Sequence, residues 1–171
     1  AAKDMMRGHA RGASTITQQL VKNMFRVRTQ YSTGLLGYIP GLRILIMKSK
    51  EWVLAVELEI FYNKDEILTM YANTVDFGSN AYGIKTAAKT YFNTTPDKLT
   101  ATQSAVLVGL LKATSYYNPR TNPENSLKRR NVVLDNMQSH GHMSAAQCES
   151  LKQTPIELNF KVETAYDGKA L

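Results

Sequence analysis

The sequence is poor in the side chains that build disulfides and metal sites. It has one cysteine, Cys148, and three histidines in 171 residues. One cysteine excludes an internal disulfide framework and argues against a thiolate zinc site, so cysteine usage indicates no compartment. The spacing of His140 and His142 does not place both on one helical face, which argues against a histidine metal site. Repeats and low-complexity tracts are also missing, and the length fits one domain with its own core.

Long apolar runs are missing as well. The most apolar stretch, GLLGYIPGLRILIM at residues 34–47, is too short to span a bilayer and contains Pro40 and Arg43. Glycines and a proline interrupt its helical periodicity, so we expect a loop. Two interpretations stay open: the loop lies on a membrane surface, or it packs on the protein core.

Acidic side chains are scarce relative to basic ones. The chain has 21 Lys and Arg against 14 Asp and Glu, a formal net charge of +7. This excess suggests an anionic partner such as nucleic acid, an anionic membrane surface or a phosphorylated substrate. The basic residues are scattered and the few aromatic residues form no stacking surface, so we expect no nucleic acid partner.

What the sequence does contain is helical patterning, which predicts an all-α fold. Asn122 followed by Pro123 is typical of a helix start, and Gly141 of its end. The segment KEWVLAVELEIFYN has apolar residues on several faces, which predicts a central, largely buried helix. Residues 156–163 alternate like a strand. Three capping-box patterns predict further helix starts: Asn63 with Glu66, Thr100 with Gln103, and Ser144 with Gln147.

The stretch GASTITQQLVKN at residues 12–23 supports two interpretations. In the structural one, Ser14 or Thr15 caps a helix whose glutamines face solvent. Its inner stripe would then be Ile16, Leu20 and Met24. In the functional one, Gly12 lets the backbone approach a ligand, while the hydroxyls, the helix N-terminus and Lys22 offer donors to phosphate or sugar oxygens. The spacing does not choose between them.

Four stretches in order resemble one family. GASTITQQLVKN resembles the second signature motif of the peptidoglycan glycosyltransferases, glycosyltransferase family 51, found in bifunctional penicillin-binding proteins and in monofunctional enzymes. KSKE at 48–51 resembles the third motif, EILTMYANTVDFGSNAYGIKTAAKTYF at 66–92 the fourth, and RRNVVLDNM at 129–137 the fifth. Together they cover most of the chain, which makes the resemblance specific.

The resemblance implies a lysozyme-like glycosyltransferase domain on the outer, periplasmic face of the bacterial cytoplasmic membrane. Its reaction would join lipid II units into β-1,4 glycan strands and release undecaprenyl pyrophosphate. The implied partners are lipid II, the growing glycan strand, the membrane surface and other cell-wall synthesis proteins. No obligatory cofactor is implied, although a divalent cation, Mg or Mn, is compatible with the pyrophosphate. Its protein ligands are unknown.

The resemblance also implies a set of site residues. Glu51 is the catalytic glutamate of the leaving-group side, and Lys48 and Lys50 stabilise the departing pyrophosphate. Without the motif, Glu51 would be interpreted as a helix cap or as the partner of a lysine. The side chains expected to line the donor pocket are Ser14, Thr15, Gln18, Gln19 and Lys22.

Two more motif regions are expected to be structural. Arg129 and Arg130 should support the fold through hydrogen bonds or ion pairs. The residues expected to shape a turn between two helices are Asn73, Phe77, Gly78, Tyr82 and Gly83.

The chain also departs from the family pattern. The first motif, with the glutamate taken as general base, is not in the sequence, so we expect residues 1–171 alone to be impaired as an enzyme. Met47 stands where an arginine is common, and the connection from Phe25 to Lys48 is long. We expect a partial glycosyltransferase domain over residues 1–155 and, over 156–171, the start of a linker toward a transpeptidase domain. The membrane anchor of the family is expected upstream.

Two other functions fit parts of the same pattern. A lysozyme-like glycan hydrolase could use Glu51 as general acid. It would not need clustered lysines, because it acts on polymer without a pyrophosphate. A non-catalytic module that binds lipid-linked glycan would retain binding without turnover.

Overall fold

The computed structural model describes residues 15–25 and 40–160, and over these residues the protein is helical, with no strand. The chain divides into two compact units, residues 1–75 and 76–171. The helical content of the described residues confirms the all-α prediction. The first unit contains α1 (Ile16–Met24), α2 (Pro40–Phe61) and α3 (Lys64–Thr74). The second contains α4 (Gly83–Phe92), a 3-10 turn (Pro96–Lys98), α5 (Ala101–Leu110), α6 (Pro123–Ser139) and α7 (Ala145–Gln153).

Helix α1 begins at a capping box and packs against both α2 and α3. Thr15 is the N-cap, as the structural interpretation of GASTITQQLVKN expected. The predicted inner stripe is wrong at both ends, because Ile16 is 47% and Met24 45% exposed. Since two helices cover α1, its buried face is not centred on the predicted stripe. The buried residues are Thr17, Leu20 and Val21.

Helix α2 begins at Pro40, so the loop predicted for residues 34–47 is wrong from Pro40 onward; residues 34–39 lie outside the described part. Proline is well suited to a first helical position, where the missing N–H would have no partner. Ile44 and Leu45 are 60% and 64% exposed, so for them the packed-on-core interpretation is wrong. The membrane-surface interpretation stays a prediction.

The prediction that KEWVLAVELEIFYN forms a largely buried helix is also wrong. Over residues 44–61 only Glu51 and Ala55 are buried, whereas Trp52 is 61% and Ile60 71% exposed. Ala55 packs against Val21 of α1. One stripe of α2 is therefore covered, and apolar residues on its other faces stay exposed.

Helix α3 starts at the predicted capping box. The Asn63 side chain accepts from the Glu66 backbone N–H at 3.0 Å, and the Glu66 side chain accepts from the Asn63 N–H at 2.8 Å. Ile67 and Tyr71 are its buried residues. Since none of the helices in the described ranges is long and apolar enough to cross a bilayer, this part offers no membrane span.

The second unit opens with the predicted turn. Asp76 and Tyr82 form an isolated antiparallel bridge, and Gly78 and Gly83 have φ of 75° and 78°. Phe77 is buried. Ser79 and Asn80, between the two glycines, also have positive φ, at 52° and 60°. The prediction that this region shapes a turn is confirmed for these residues, because positive φ at four positions reverses the chain.

One core cluster of the second unit lies where α5, α6 and α7 meet. It is built on Ala105, Val133, Leu134 and the unpaired Cys148. All three remaining predicted helix starts, at Thr100, Asn122 and Ser144, are confirmed. Gly141, at φ 78°, follows the end of α6 as predicted, with the His142 N–H donating to Met137 O at 2.9 Å.

Arg130 has the structural role predicted for it. It is fully buried on α6 and donates to Thr154 O at 2.6 Å and Lys152 O at 2.8 Å. Burial lowers the pKa of its guanidinium below the usual value. Both carbonyls belong to the end of α7, where the helix dipole favours a cation. Arg129 instead lies over the Tyr117 ring, 5.9 Å from its centroid.

The strand predicted for residues 156–163 is wrong over residues 156–160, and 161–163 lie outside the described part. A strand needs a neighbour for its ladder. Here the Asn159 N–H donates to Tyr91 O at 3.0 Å, at the end of a helix. The Phe160 ring packs edge-on against Tyr91 at 5.8 Å and lies under Arg120 at 4.5 Å. The tail is therefore held by Tyr91 near the end of α4 and by Arg120 in the turn before α6.

Candidate functional site

A buried carboxylate next to a half-exposed ammonium is the main polar feature of the first unit. Glu51 on α2 is 3% exposed, and its Oε2 lies 2.6 Å from Lys48 Nζ. The Lys48 side chain is 48% exposed. Residues three apart on a helix are neighbours, which brings the two predicted site residues together. A buried carboxylate is costly unless it is compensated, and here an ammonium that also reaches water contributes the compensation.

Lys50 leaves α2 in a different direction. Residues two apart on a helix do not face each other, so Lys48 and Lys50 do not form one cationic cluster on one face. Lys50 is partly buried. Of the two predicted pyrophosphate lysines, the structure thus pairs Lys48 directly with Glu51.

At the start of α1, two predicted ligand residues form the helix cap. Thr15 Oγ1 accepts from the Gln18 N–H at 3.2 Å, and Gln18 Oε1 accepts from the Thr15 N–H at 3.3 Å. Their side chains are thereby occupied by helix capping, and their role in ligand binding stays a prediction. Ser14 lies outside the described residues.

The next predicted ligand residue, Gln19, contacts α3. Tyr71 donates its hydroxyl to Gln19 Oε1 at 3.1 Å. Tyr71 is 7% exposed, and burial raises the pKa of its phenol. Because Tyr71 is buried, its hydroxyl has a fixed position, and the hydrogen bond from it orients the exposed Gln19 side chain. Lys22, one turn later, is exposed.

The cap residues of α1 and the Lys48–Glu51 pair lie toward opposite ends of the α1–α2 pair. The helices are antiparallel, because Thr17 Oγ1 donates to Glu59 Oε1 at 2.7 Å while Val21 packs on Ala55. Glu51 and Glu59 are separated by about 12 Å along α2, at 1.5 Å per residue. The cap of α1 is near Glu59, so the structure does not bring the cap and the Lys48–Glu51 pair to one point.

Sequence reasoning missed three of the side chains that organise this unit: Thr17, Glu59 and Tyr71. Thr17 is buried although it belongs to the polar start of a helix. Its hydrogen bond to Glu59 joins positions that are 42 residues apart. The one local signal was the position of Tyr71, one turn after Ile67 on the inner face of α3.

No group of three His, Cys, Asp or Glu side chains that could hold a metal exists among the residues the structure describes. A divalent cation near Glu51 would therefore have to take most of its ligands from a bound diphosphate and water. That coordination is typical of Mg²⁺, which often uses one or two carboxylates together with substrate phosphates. The donor set fits such a cation only together with substrate.

Comparison with known proteins identifies the family. The transglycosylase family profile matches residues 1–138. The chain belongs to the transglycosylase family. Penicillin-binding protein 1A of Escherichia coli K12 is 40% identical over 154 residues, covering 90% of this chain and 17% of that protein. Penicillin-binding protein 2a of Streptococcus pneumoniae D39 is 35% identical over 162 residues, covering 95% of this chain and 20% of that protein.

A solved structure agrees with this family assignment. The crystal structure of penicillin-binding protein 1A from Haemophilus influenzae matches with a TM-score of 0.56 and 36% identity, covering 59% of this chain and 15% of that chain. The motif-based resemblance to the peptidoglycan glycosyltransferases of class A penicillin-binding proteins is thereby confirmed as a family assignment. This transglycosylase chain spans about a fifth or less of the length of these relatives.

Proposed function

We propose that the protein containing this transglycosylase chain polymerises lipid II into β-1,4 glycan strands and releases undecaprenyl pyrophosphate. The proposed place of reaction is the outer face of the bacterial cytoplasmic membrane, beside other cell-wall synthesis proteins. The observation that carries the proposal is the Lys48–Glu51 pair, at 2.6 Å, within the stretch that resembles the third family motif.

The reaction needs positive charge where the pyrophosphate departs. The acceptor hydroxyl oxygen bonds to the anomeric carbon of the donor, the bond from that carbon to the pyrophosphate oxygen breaks, and the pyrophosphate keeps the electron pair. Lys48 can stabilise this developing charge, because its ammonium is half exposed and held at one side by Glu51. The proton of the acceptor hydroxyl goes to a base. By the resemblance, that base is the first-motif glutamate, outside residues 1–171.

Glu51 would act on the leaving-group side in two ways. It holds the Lys48 ammonium within 2.6 Å of its own carboxylate, so the cation stays near the departing oxygen. It is also the side chain that would hold a divalent cation, which when bound would add positive charge at the diphosphate. Lys50, which leaves α2 in a different direction from Lys48, is proposed to contact the diphosphate from another side.

The start of α1 would bind another part of the donor. The proposed contacts are the Gln19 amide, positioned by Tyr71, and the exposed Lys22, with Ser14, Thr15 and Gln18 around the helix N-terminus. The cap of α1 lies near Glu59, about 12 Å along α2 from Glu51, and this spread of contacts suits an elongated ligand such as a lipid-linked disaccharide diphosphate. The linker role of residues 156–171 is part of the same proposal.

The test is saturable binding of lipid II in detergent to a polypeptide of residues 1–171, which we expect to bind without normal turnover. Lys48→Ala should weaken binding about tenfold, the loss of one charge-assisted contact. Glu51→Gln should weaken binding further when Mg²⁺ is present than when it is removed by chelation. Lys85→Ala, an exposed lysine on α4, is the matched control and should bind as the parent chain does.

Helical content is measured for each variant by circular dichroism. If folded Lys48→Ala binds lipid II as tightly as the Lys85→Ala control, the assignment of Lys48 to the pyrophosphate is wrong. Normal glycan polymerisation by residues 1–171 alone would contradict the assignment of the base to a glutamate outside these residues.

A further inference from the structure

A groove lies at the corner where α2 ends and α3 begins, and the start of α1 forms its far wall. Its volume is about 660 Å³. We call it the α2–α3 groove. None of its lining residues is among the residues proposed for catalysis or substrate binding. The lining residues used below are Ile16, Thr17, Glu59, Tyr62, Lys64 and Leu68.

The walls of the α2–α3 groove expose large apolar side chains. Ile16 is 47%, Tyr62 43% and Leu68 52% exposed. The two residues that precede Tyr62 in the chain do not line the groove, but they are exposed as well, Ile60 by 71% and Phe61 by 77%. Clustered exposed apolar residues of this kind mark interaction sites, whereas isolated ones do not.

A carboxylate is fixed in the groove. Thr17, which is 6% exposed, donates its hydroxyl to Glu59 Oε1 at 2.7 Å. The Thr17 side chain is held by its own burial, so the hydrogen bond orients the Glu59 carboxylate at the wall. A second cleft of about 430 Å³ shares Tyr62 with the groove and is lined by Asp65 and Glu66.

The charge of this corner is opposite to that of the chain. The α2–α3 groove and the adjoining cleft are together lined by three carboxylates, Glu59, Asp65 and Glu66, and one ammonium, that of Lys64, although the chain as a whole carries +7. An anionic headgroup or phosphate would be repelled here. A lysine or arginine side chain would be attracted, because its apolar stem can lie along Tyr62 and Leu68 while its cationic end reaches Glu59.

We propose that the α2–α3 groove docks a cationic, apolar peptide segment of a partner protein. The apolar walls bind the aliphatic residues of that segment, and the Glu59 carboxylate binds one of its cationic side chains. The groove is separate from the Lys48–Glu51 pair, which lies in the first half of α2, and it shares the start of α1 with the proposed donor-binding residues.

The test uses the purified 171-residue chain and a blocked hexapeptide of alternating lysine and leucine, with binding measured by calorimetry. A peptide with glutamate in place of lysine and one with serine in place of leucine are the controls, and neither should bind. Equal binding of the lysine–serine peptide would show that charge alone is responsible and would overturn the proposal.

Two matched pairs of variants locate the binding. Glu59→Gln should weaken binding of the lysine–leucine peptide about tenfold, while Glu57→Gln, an exposed glutamate outside the groove, should change it less than about twofold. Glutamine still accepts the Thr17 hydroxyl, so folding is retained. Leu68→Ser should weaken binding, while Val132→Ser, on the exposed face of α6, should not.

Two outcomes contradict the proposal. Equal effects of Glu59→Gln and Glu57→Gln would show that the peptide does not use the groove. Concentration-dependent dimerisation of the chain that Glu59→Gln abolishes would identify a second copy as the occupant instead of a partner protein.

Discussion

The two units each bury a charged residue, and they compensate it differently. Glu51 in the first unit is paired with Lys48, whose side chain is 48% exposed. Arg130 in the second unit is fully buried and donates to two backbone carbonyls at the end of α7. Carbonyls at a helix end cannot leave, whereas a lysine side chain can turn toward an incoming anion. The first arrangement is therefore suited to binding, and the second to holding α6 and α7 together.

Buried tyrosines show the same difference. The Tyr71 hydroxyl in the first unit donates to the exposed Gln19 side chain. The Tyr91 hydroxyl in the second unit lies within hydrogen-bond distance of Phe77 O, Ser79 Oγ and Asn118 Nδ2, at 2.9, 3.1 and 3.3 Å. The second unit uses its polar groups to connect backbone and buried side chains, and we expect substitutions there to cost more stability.

Replacement of Arg130 should have the largest effect. Arg130→Met leaves Lys152 O and Thr154 O without their donors in a buried site, and we expect the free energy of unfolding to fall by about 3–5 kcal/mol. Urea unfolding followed by far-ultraviolet circular dichroism measures the change. Lys128→Met, at an exposed position of α6, is the control and should stay within about 0.5 kcal/mol. A loss below about 1 kcal/mol for Arg130→Met would mean that water replaces the guanidinium.

A pair of glycines tests how closely the second unit is packed. A Cβ at Gly78 would lie 3.0 Å from Thr114 O, whereas a Cβ at Gly141 would meet nothing within 4 Å. Both residues have positive φ. We expect Gly78→Ala to lower the free energy of unfolding by about 3 kcal/mol and Gly141→Ala by about 1 kcal/mol. Equal losses of unfolding free energy for the two variants would show that backbone strain alone, and not the contact with Thr114, causes both losses.

The tyrosines compare the units directly. Tyr91→Phe should lower the free energy of unfolding by about 1–2 kcal/mol, and Tyr71→Phe by less, about 0.5–1 kcal/mol, because its hydroxyl contacts one exposed amide. Urea unfolding of both variants at pH 7 measures the difference. A larger loss for Tyr71→Phe would contradict the contrast between the units.

The same residues predict a pH dependence. Burial raises the pKa of Tyr91 above 10.0, its ordinary value, so the unfolded state loses this phenolic proton more readily than the folded state. The contribution to stability is fully present below about pH 10 and is lost as the pH rises through the folded pKa. Urea midpoints measured at pH 8 and pH 11 should therefore differ less for Tyr91→Phe than for the parent chain.

Capping residues should give the smallest effects and separate binding from stability. Thr15→Ala and Thr100→Ala each remove the N-cap of a Thr-x-x-Gln capping box, and each should cost about 1 kcal/mol in urea unfolding. Thr15→Asn should restore the stability, since asparagine also caps. Only the Thr15 substitutions should change lipid II binding. If Thr100→Ala also weakened lipid II binding, the weaker binding of Thr15→Ala would be due to lost stability and not to a lost contact between Thr15 and the ligand.

Features set by neighbours in the chain were predictable from the sequence. The capping boxes at Asn63, Thr100 and Ser144 close within three residues, so their pattern is local. The Lys48–Glu51 pair is local as well, because one helical turn separates the two residues. The family followed from four motifs. The role of Arg130 was predicted as structural, but its carbonyl partners on another helix were not.

One error was local, because Pro40 was interpreted as an interruption of a helix although it begins α2. The other errors concern contacts that depend on distant helices. Ile16 and Met24 have the spacing of an inner stripe, yet α1 packs against two helices, and this centres its buried face on Leu20 and Val21. The apolar residues of α2 and the alternation in the tail gave no information about which neighbour would cover them. Tail residues Asn159 and Phe160 contact Tyr91 and not a strand.

The sequence by itself determined most of the helix starts and caps, the family and the Lys48–Glu51 pair, because hydrogen bonds and contacts within one turn need no distant partner. The tertiary structure decided which helix faces are buried and that Thr17 meets Glu59. It also decided that Tyr71 meets Gln19 and that the cap of α1 lies near Glu59, about 12 Å along α2 from Glu51. Such contacts join residues far apart in the chain, and they form only when whole helices bury apolar surface against each other.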